Sequence, residues 1–548
     1  MTARRLDSVI IGYNEIPFER YENFLRKYGV ESEAYRDLKF SFVEIAGKKL
    51  DYPGLMNHVL SLSSQREPGS TNRQEFKSGD IPSLGAAYLT NFLKRRGFEA
   101  RYINLFQQEK DLLKEYLDRD PLCVAITTTF YVVNMPVNEM VEFIRAHNSK
   151  VRIVVGGPLI ANHARNYRDL ALQAALDDMG ADIYVIDGQG EETLARIVDC
   201  LKVDGDLSGI PNIAYIENGR LRRTASAPEN SSLDENYIDW RGFPNKDLGY
   251  TIQTRTARSC AFNCSFCNYP ARAGKLALAS IETVEKELNS IRELGKVSNL
   301  VFIDDTFNVP LPRFKDLCRM MIKNDYQFNW FSYFRCSNSD EEAIELAARS
   351  GCKGVFLGIE SGSPAMLKNM NKAATVGKYV EGIKLLHQHN ILTFASFIIG
   401  FPGETDATVE ETAAFLREAK PDYYRAQMWY CEPGTPIDHQ RIKYNINGEG
   451  FVWSHCTMDS LTAMDHIERL FLTTNSSVWL PQWSFDFWII PYLLGKGITV
   501  ERFREFMKCA QKLLTMEIAY VPEHEKTTLQ QEYLLSMVRL AKGWPKPD

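Results

Sequence analysis

The chain lacks any apolar run long enough to be read as a membrane span. Its most apolar late stretch, Val478 to Leu494, contains Gln482 and Asp486 and is cut by Pro481 and Pro491, short of the roughly 20 apolar residues that a spanning helix needs. It reads as buried helix and turn. The N-terminus, MTARRLDSVIIGYNE, has no signal-peptide core, because its apolar run is brief and interrupted by Asp7. Excess basic charge is also missing. The net charge is −6, so no global positive field collects nucleic acid or an anionic membrane. Neither GxGxxG nor a P-loop follows a strand-like run, which removes the common nucleotide-binding fingerprints. Internal repeats and low-complexity tracts are absent. These gaps predict a cytoplasmic protein with no nucleic-acid and no membrane partner.

What is present describes a globular chain. Hydrophobic residues make up 45% and charged residues 24% of 548 residues, inside the ordinary range. That length predicts three or four units of about 150 residues. Eleven cysteines form an odd set, which suits reduced thiols or metal ligands better than a disulfide framework.

The run Val9-Ile10-Ile11 predicts a short buried strand ending at Gly12-Tyr13-Asn14. Residues 16–78 are polar and irregular, with a loop at Arg66 to Ser70. From Asp80 the periodicity alternates: helix 84–96, strand 100–104, helix 109–119, strand 122–127, helix 137–147, strand 152–155 and strand 183–186. Such alternation predicts a doubly wound parallel sheet. Ligands of such sheets bind beyond the strand carboxyl ends. The expected loops there are Thr127-Thr128-Thr129, Gly156-Gly157-Pro158 and Gly188-Gln189-Gly190-Glu191.

Residues 204–250 are richer in Asp, Asn, Gly, Ser and Pro, with Ala227 to Ser232 the clearest linker. A second series then places strands at 251–256, 300–303, 329–334, 354–358, 393–399 and 423–428. Six strands separated by helix-length segments predict a partial (β/α)6 barrel with its active face at the strand C-termini. The expected division is 1–225 for the first sheet with its N-terminal insert, 226–250 linker, 251–440 barrel, and 441–548 a mainly helical C-terminal region.

Just beyond the first barrel strand stands Cys260-Ala261-Phe262-Asn263-Cys264-Ser265-Phe266-Cys267. Three thiols spaced CxxxCxxC suit three irons of a cubane and leave the fourth open. A structural zinc site would want four closed ligands, and no fourth Cys or His follows at finger-like spacing. Three buried cysteines without metal is the remaining reading.

This motif, with an aromatic at Phe266, resembles the radical S-adenosylmethionine (SAM) superfamily. So do Phe302-Ile303-Asp304-Asp305-Thr306-Phe307, Tyr333-Phe334-Arg335, Gly358-Ile359-Glu360-Ser361-Gly362-Ser363, Phe397 to Glu404, and Glu432-Pro433-Gly434-Thr435-Pro436. The resemblance implies a [4Fe-4S] cluster on Cys260, Cys264 and Cys267, whose open iron chelates SAM. It also implies an electron donor such as flavodoxin or ferredoxin, and a 5′-deoxyadenosyl radical that abstracts hydrogen. Arg335 and Glu360 are clamp candidates for SAM, against ordinary strand-end salt bridges. Asp304 and Asp305 are read either as SAM contacts or as caps of the next helix.

The upstream sheet resembles the cobalamin-binding branch, including class B-type methyltransferases. That likeness rests on Pro82-Ser83-Leu84-Gly85, Gly97, Asn104, Gly156-Gly157-Pro158 and Gly188-Gln189-Gly190-Glu191-Glu192. It implies cobalamin on these loops, with Ser83, Leu84, Thr127 to Thr129 and the two glycine loops as contacts. The DxHxxG motif of histidine-ligated cobalamin proteins is missing, so no imidazole from it reaches cobalt. His163 reads as a solvated helix histidine. Phe130 and Tyr131 read either as neighbours of cobalt's lower face or as packing residues. A doubly wound domain that binds a nucleotide, or nothing, is the competing reading.

After the barrel, Trp453, Trp479, Trp483, Phe485, Phe487, Trp488 and Tyr492 form an aromatic-rich segment expected to pack and to close the barrel's open side. The stretch Trp453 to Asp459 loosely resembles phosphinate P-methyltransferases. The predicted activity is methyl transfer to an unactivated carbon or a phosphinate phosphorus of a small-molecule or peptide intermediate. A cobalamin-dependent cyclase, ring-contraction or rearrangement enzyme is the alternative, and a non-catalytic cobalamin or iron-sulfur sensor is the reading of another class.

Overall fold

Two seven-stranded sheets carry the described residues, joined through the region read as a linker. The computed structural model describes residues 5–64, 76, 81–229, 231–244, 248–482, 487–542 and 544. The expected loop at Arg66 to Ser70, and Trp483 and Phe485 of the aromatic segment, lie outside the described residues.

In the first sheet the strand order is Ala100–Leu105, Ser8–Tyr13, Cys123–Thr127, Arg152–Gly156, Ile183–Val185, Ile213–Glu217, Arg220–Arg223. The first five pair in parallel. Chain direction across the sheet reverses at Ser8–Tyr13, and in open α/β sheets that reversal opens a crevice at the strand carboxyl ends. Here the crevice is flanked by Tyr13 and by the loop after Thr127.

The last two strands run antiparallel as a hairpin. They lie where composition alone suggested only a boundary. Asn218 (φ 52) and Gly219 (φ 72) form their turn, the two positive φ values that a tight hairpin of this hand requires.

The second sheet follows chain order: Thr251–Thr254, Asn299–Phe302, Asn329–Phe334, Cys352–Glu360, Leu392–Ile399, Tyr423–Met428 and Val478–Trp479, all parallel. Its first and last strands do not pair, so the barrel stays open. The expected six strands appear, and Val478–Trp479 adds a seventh where helix and turn were expected. Those two residues pair with Tyr423 and Tyr424. Beyond them, Phe487 packs against Phe331, Phe356 and Phe394 on the three central strands, covering that face of the sheet with aromatic area.

The C-terminal region is not helical throughout. Helices Ser460–Thr473, Val500–Ile518 and Glu523–Ala541 are preceded by a three-stranded antiparallel sheet, Asn447–Glu449, Val452–His455 and Met458–Asp459.

The insert read as irregular is ordered over its described part: helices Phe18–Arg26 and Glu33–Lys39, hairpin Phe42–Ile45 and Lys48–Asp51, then helix Tyr52–Ser64. Phe18, Tyr21, Glu22 and Leu25 fall at helical spacing, the pattern of a one-sided amphipathic helix. Glu22 ties the insert together by accepting from Tyr35 Oη (2.5 Å), Lys49 Nζ (2.5 Å) and Arg26 Nη2 (2.6 Å). Arg36 then pairs with Asp465 (2.7 Å) and Glu468 (2.9 Å), docking the insert on the helix that follows the barrel.

Candidate active site between two strand-end edges

The carboxyl edges of the two sheets face one another across a cavity of about 750 Å³. Tyr13, Ser83, Asn104 and Phe130 line it from the upstream sheet; Gln253, Phe266, Ile398 and Gln427 line it from the barrel. Tyr21 and Asp37 of the insert, and Trp488 and Tyr492 of the C-terminal region, complete the wall. Of the aromatic segment, Trp488 lines the cavity and packs on the third barrel strand, its Nε1 donating to Tyr333 Oη (3.2 Å).

The cysteine loop is held at several points. Ser265 N donates to Met370 O (2.9 Å), Ser265 Oγ to Asn369 O (3.0 Å) and Ile437 N to Ser265 O (2.9 Å). Cys260 Sγ lies 3.3 Å from Thr306 Oγ1, and Tyr269 N donates to Cys267 Sγ at 3.4 Å. All three cysteines are free thiols and are close enough to act electrostatically on one another. Burial pushes the Cys267 thiol up to about 11 and raises Cys264, while Lys372 and Arg335 pull Cys264 down. No three Cys, His, Asp or Glu side chains among the described residues converge on one point as a single metal ion requires. Thiolates that each bind a different iron of a cubane do not need to converge.

Arg335 and Glu360 stand beside Cys264, as the mutual influence of these groups shows. The Arg335 guanidinium lies 3.7 Å over the Phe262 ring, and its Nη2 is buried without a hydrogen-bond partner. A buried, unsatisfied charged donor is costly, so an anionic partner is the physical complement of this atom. Glu360 sits at φ 67 where the strand register shifts, and one of its oxygens accepts from Lys372 Nζ at 3.0 Å. The Tyr379 hydroxyl nearby is buried and unpartnered.

Asp304 does not cap the next helix, and its carboxylate is engaged by the backbone. Its carboxylate accepts from Thr256 N (2.8 Å), Ala257 N and Thr256 Oγ1 (3.3 Å), so it fastens the strand that leads into the cysteine loop. The next helix, Leu311–Lys323, starts after Pro310, out of reach of a capping role. Asp305 is solvent-exposed near Tyr269 and Arg272.

On the upstream edge the predicted residues separate into two groups. Ser83 and Phe130 line the cavity, and Phe130 is 61% exposed. Tyr131 turns inward, where its hydroxyl accepts from Asn14 N (2.6 Å), so it packs and Phe130 alone of the pair faces the cavity. Thr127 Oγ1 donates to Gly12 O (2.6 Å) and Thr128 Oγ1 to Gly156 O (3.0 Å); both knit strands together. Thr129 is exposed, and Leu84 is buried in the core.

The glycine loops answer first to the protein. A Cβ on Gly157 (φ +110) would stand 2.9 Å from Thr128 Oγ1, one on Gly190 2.6 Å from Val185 Cγ1, and one on Gly188 2.6 Å from Arg272 O. Gly156 faces Val185 at 3.1 Å, and Pro158 opens the helix Pro158–Asn166. Glu191 is taken up by Arg258 (3.8 Å) and Tyr88 Oη (3.4 Å). Gln189 Oε1 is buried and unpartnered, a free acceptor on this edge. His163 is half-buried rather than solvated: Nε2 meets Asn134 Oδ1 (3.1 Å) and the ring stacks on Tyr167 at 5.1 Å.

Sequence reasoning missed Tyr21, Asp37, Gln253, Gln427 and Trp429. Gln253 lies in the mostly polar strand Thr251–Thr254, where nothing sets it apart; Gln427 near the end of Tyr423–Met428 and Trp429 just past it stand at a strand carboxyl end, which was a legible signal. Tyr21 and Asp37 carry none beyond helical spacing.

The Radical SAM superfamily profile matches residues 254–416 and the B12 binding domain profile matches residues 77–198, together about half of the chain. The chain belongs to the cobalamin-binding radical SAM enzymes. An uncharacterized methyltransferase of Pyrococcus horikoshii is 27% identical over 431 residues, 76% of this chain and 90% of the relative. The anaerobic magnesium-protoporphyrin IX monomethyl ester cyclase of Cereibacter sphaeroides is 26% identical over 388 residues, 66% of this chain and 60% of the relative. The radical S-adenosylmethionine methyltransferase TsrM of Kitasatospora setae, solved with cobalamin and a [4Fe-4S] cluster bound, shares the fold. Its identity is 17% and its TM-score 0.58, over 84% of this chain and 97% of that one. The cofactors of this radical SAM enzyme are a [4Fe-4S] cluster, SAM and cobalamin. No helix among the described residues is long and apolar enough to cross a membrane.

Proposed function

We propose that this enzyme transfers a methyl group to an unactivated carbon or a phosphinate phosphorus of a small-molecule or peptide intermediate. The observation that carries this reading is the single cavity walled on one side by Phe266 of the cysteine loop and on the other by Ser83 and Phe130 of the upstream sheet. A substrate held there touches both cofactor-bearing edges at once.

In this reading Cys260, Cys264 and Cys267 hold the cluster. Arg335 meets the carboxylate of SAM through its unpartnered Nη2, and Glu360, braced by Lys372, meets its ammonium. The loops after Tyr13, Thr127 and Gly156 would hold cobalamin, with Phe130 and the Gln189 Oε1 acceptor as the side chains available to it. When bound, the cluster and SAM supply hydrogen abstraction, and cobalamin carries the methyl group. The chain's own residues position and exclude water: Trp488, Tyr492 and the insert close the cavity, which protects reactive species from solvent. Asp304 fixes the approach to the cysteine loop without touching substrate. A one-electron donor such as a flavodoxin or ferredoxin is the partner this chemistry calls for.

The test is anaerobic reconstitution with iron, sulfide, cobalamin and SAM, reduction by a one-electron donor such as reduced flavodoxin, and product analysis with candidate substrates. S-adenosylhomocysteine and 5′-deoxyadenosine formed together with a methylated product support the reading. Deoxyadenosine without methylation, as for a cyclase or rearrangement enzyme, refutes it. SAM cleavage by the reconstituted protein would eliminate the reading as a non-catalytic sensor.

A further inference from the structure

The cavity carries charge of one sign. Its described lining includes the carboxylates of Glu15, Asp37 and Glu432 and no lysine, arginine or histidine. Two of the three are engaged by the protein. Glu432 Oε1 accepts from Asn268 Nδ2 (2.7 Å) and Asn162 Nδ2 (3.0 Å), and Glu15 has its own partners. Asp37 is different: no side-chain hydrogen bond reaches its carboxylate among the described residues. The one cation acting on it, Arg425, already donates Nη2 to Gln427 Oε1 at 2.7 Å. Burial pushes the Asp37 carboxyl up to about 6, so it is ionised at neutral pH but poorly compensated.

Its position is fixed by its neighbours. On the same helix Arg36 is bound to Asp465 and Glu468, and Glu33 accepts from Ser460 Oγ at 2.6 Å. These contacts lock the helix to the barrel side and leave Asp37 facing the cavity. Tyr21 and Tyr430 line the same cavity, and both Asp37 and Tyr430 act on the Tyr21 hydroxyl. Tyr430 meets Phe451 edge to face at 5.2 Å, giving an aromatic wall.

A phosphinate or carboxylate entering this space would lose water among three carboxylates with no lining cation to receive it, and an unpaired buried anion is strongly disfavoured. An ammonium would meet a desolvated carboxylate and aromatic faces, both favourable. We propose that Asp37, flanked by Tyr21 and Tyr430, recognises a protonated amine on the substrate, so that the methyl acceptor is an amine-bearing small molecule or peptide rather than a phosphinate. The inference rests on reading this cavity as the substrate site.

The test uses the reconstituted holoenzyme and three matched probes, 2-phenylethylamine, 3-phenylpropionate and phenylphosphinate, in equilibrium dialysis. The amine is expected to bind at least about tenfold more tightly than either anion, the scale of one charge-assisted hydrogen bond. Asp37→Asn should remove that preference while the cluster and cobalamin spectra stay unchanged, and Asp37→Glu should keep it. Equal binding of the probes, preference for an anion, or no measurable binding of any probe overturns the proposal. If Asp37→Asn fails to fold, the order of the three probes on the wild type decides. S-adenosylhomocysteine formation is scored separately, so loss of the methyl-transfer reading leaves the amine preference readable, and a reversed probe order overturns the amine assignment alone.

Discussion

Replacing Arg335 by methionine should separate cofactor affinity from stability. Arg335 is 8% exposed, its guanidinium lies 3.7 Å over Phe262, and Nη2 has no hydrogen-bond partner among the described residues. In the cofactor-free chain an unsatisfied buried donor costs about 1–3 kcal/mol, and stacking on the ring recovers about 0.5–2 kcal/mol. Methionine removes both effects, keeps much of the volume and still contacts an aromatic ring through sulfur. The net change in folding stability is therefore expected to stay within about 1 kcal/mol. SAM affinity has no such compensation. Losing one charge-assisted hydrogen bond to its carboxylate removes about 1.5–3 kcal/mol, a loss of about 10- to 100-fold in affinity. Urea unfolding of the cofactor-free chain and dialysis of labelled SAM against cluster-loaded protein measure the two quantities. A variant that is several kcal/mol less stable yet binds SAM like the wild type would make Arg335 a packing residue and refute the reasoning.

Cys260→Ala, Cys264→Ala and Cys267→Ala should each lose the cluster absorbance and SAM cleavage while cobalamin stays bound; full cluster spectra in all three would show that the ligands lie elsewhere. Gly157→Ala forces a Cβ against Thr128 at φ +110 and should cost about 1–3 kcal/mol in thermal unfolding, so its loss of cobalamin reports on the loop. Phe130→Ala, at an exposed position, should weaken cobalamin with stability changed by less than about 0.5 kcal/mol; undiminished cobalamin binding would remove Phe130 from the site. Glu287 accepts from Thr254 Oγ1 (2.6 Å) and Trp240 Nε1 (3.3 Å), and burial pushes its carboxyl up to about 7. The folded value exceeds the ordinary value of about 4.3, so its stability contribution is full below about pH 4 and is lost as pH rises through 7. Glu287→Gln should therefore flatten the decline of Tm between pH 5 and 8, and parallel wild-type and variant profiles would disprove this.

Much of the fold was legible because it is written in local periodicity. Strands 329–334 and 423–428 lie where their apolar runs placed them, and the cysteine motif marks its own chemistry because thiol spacing along the chain is close to thiol spacing in the loop. The hairpin at Ile213 to Arg223 was also legible, through its Asn218-Gly219 turn, but composition masked it as linker.

Other features needed the tertiary structure. Val478–Trp479 is too short to declare itself, and only the free edge of Tyr423–Met428 makes it a strand. The insert has no motif, and its helices gain a role by docking Arg36 on Asp465 and Glu468, more than 400 residues away. Asp304 looked like a ligand because its side chain is polar at a strand end. Its three acceptor contacts lie about 50 residues earlier and no periodicity encodes them. Residue type and spacing determined which chemistry the chain can hold, since those are properties of a local segment. Which carboxylates are already satisfied, and therefore which one remains for a substrate, was decided only by contacts between distant segments, where burial and pairing are set.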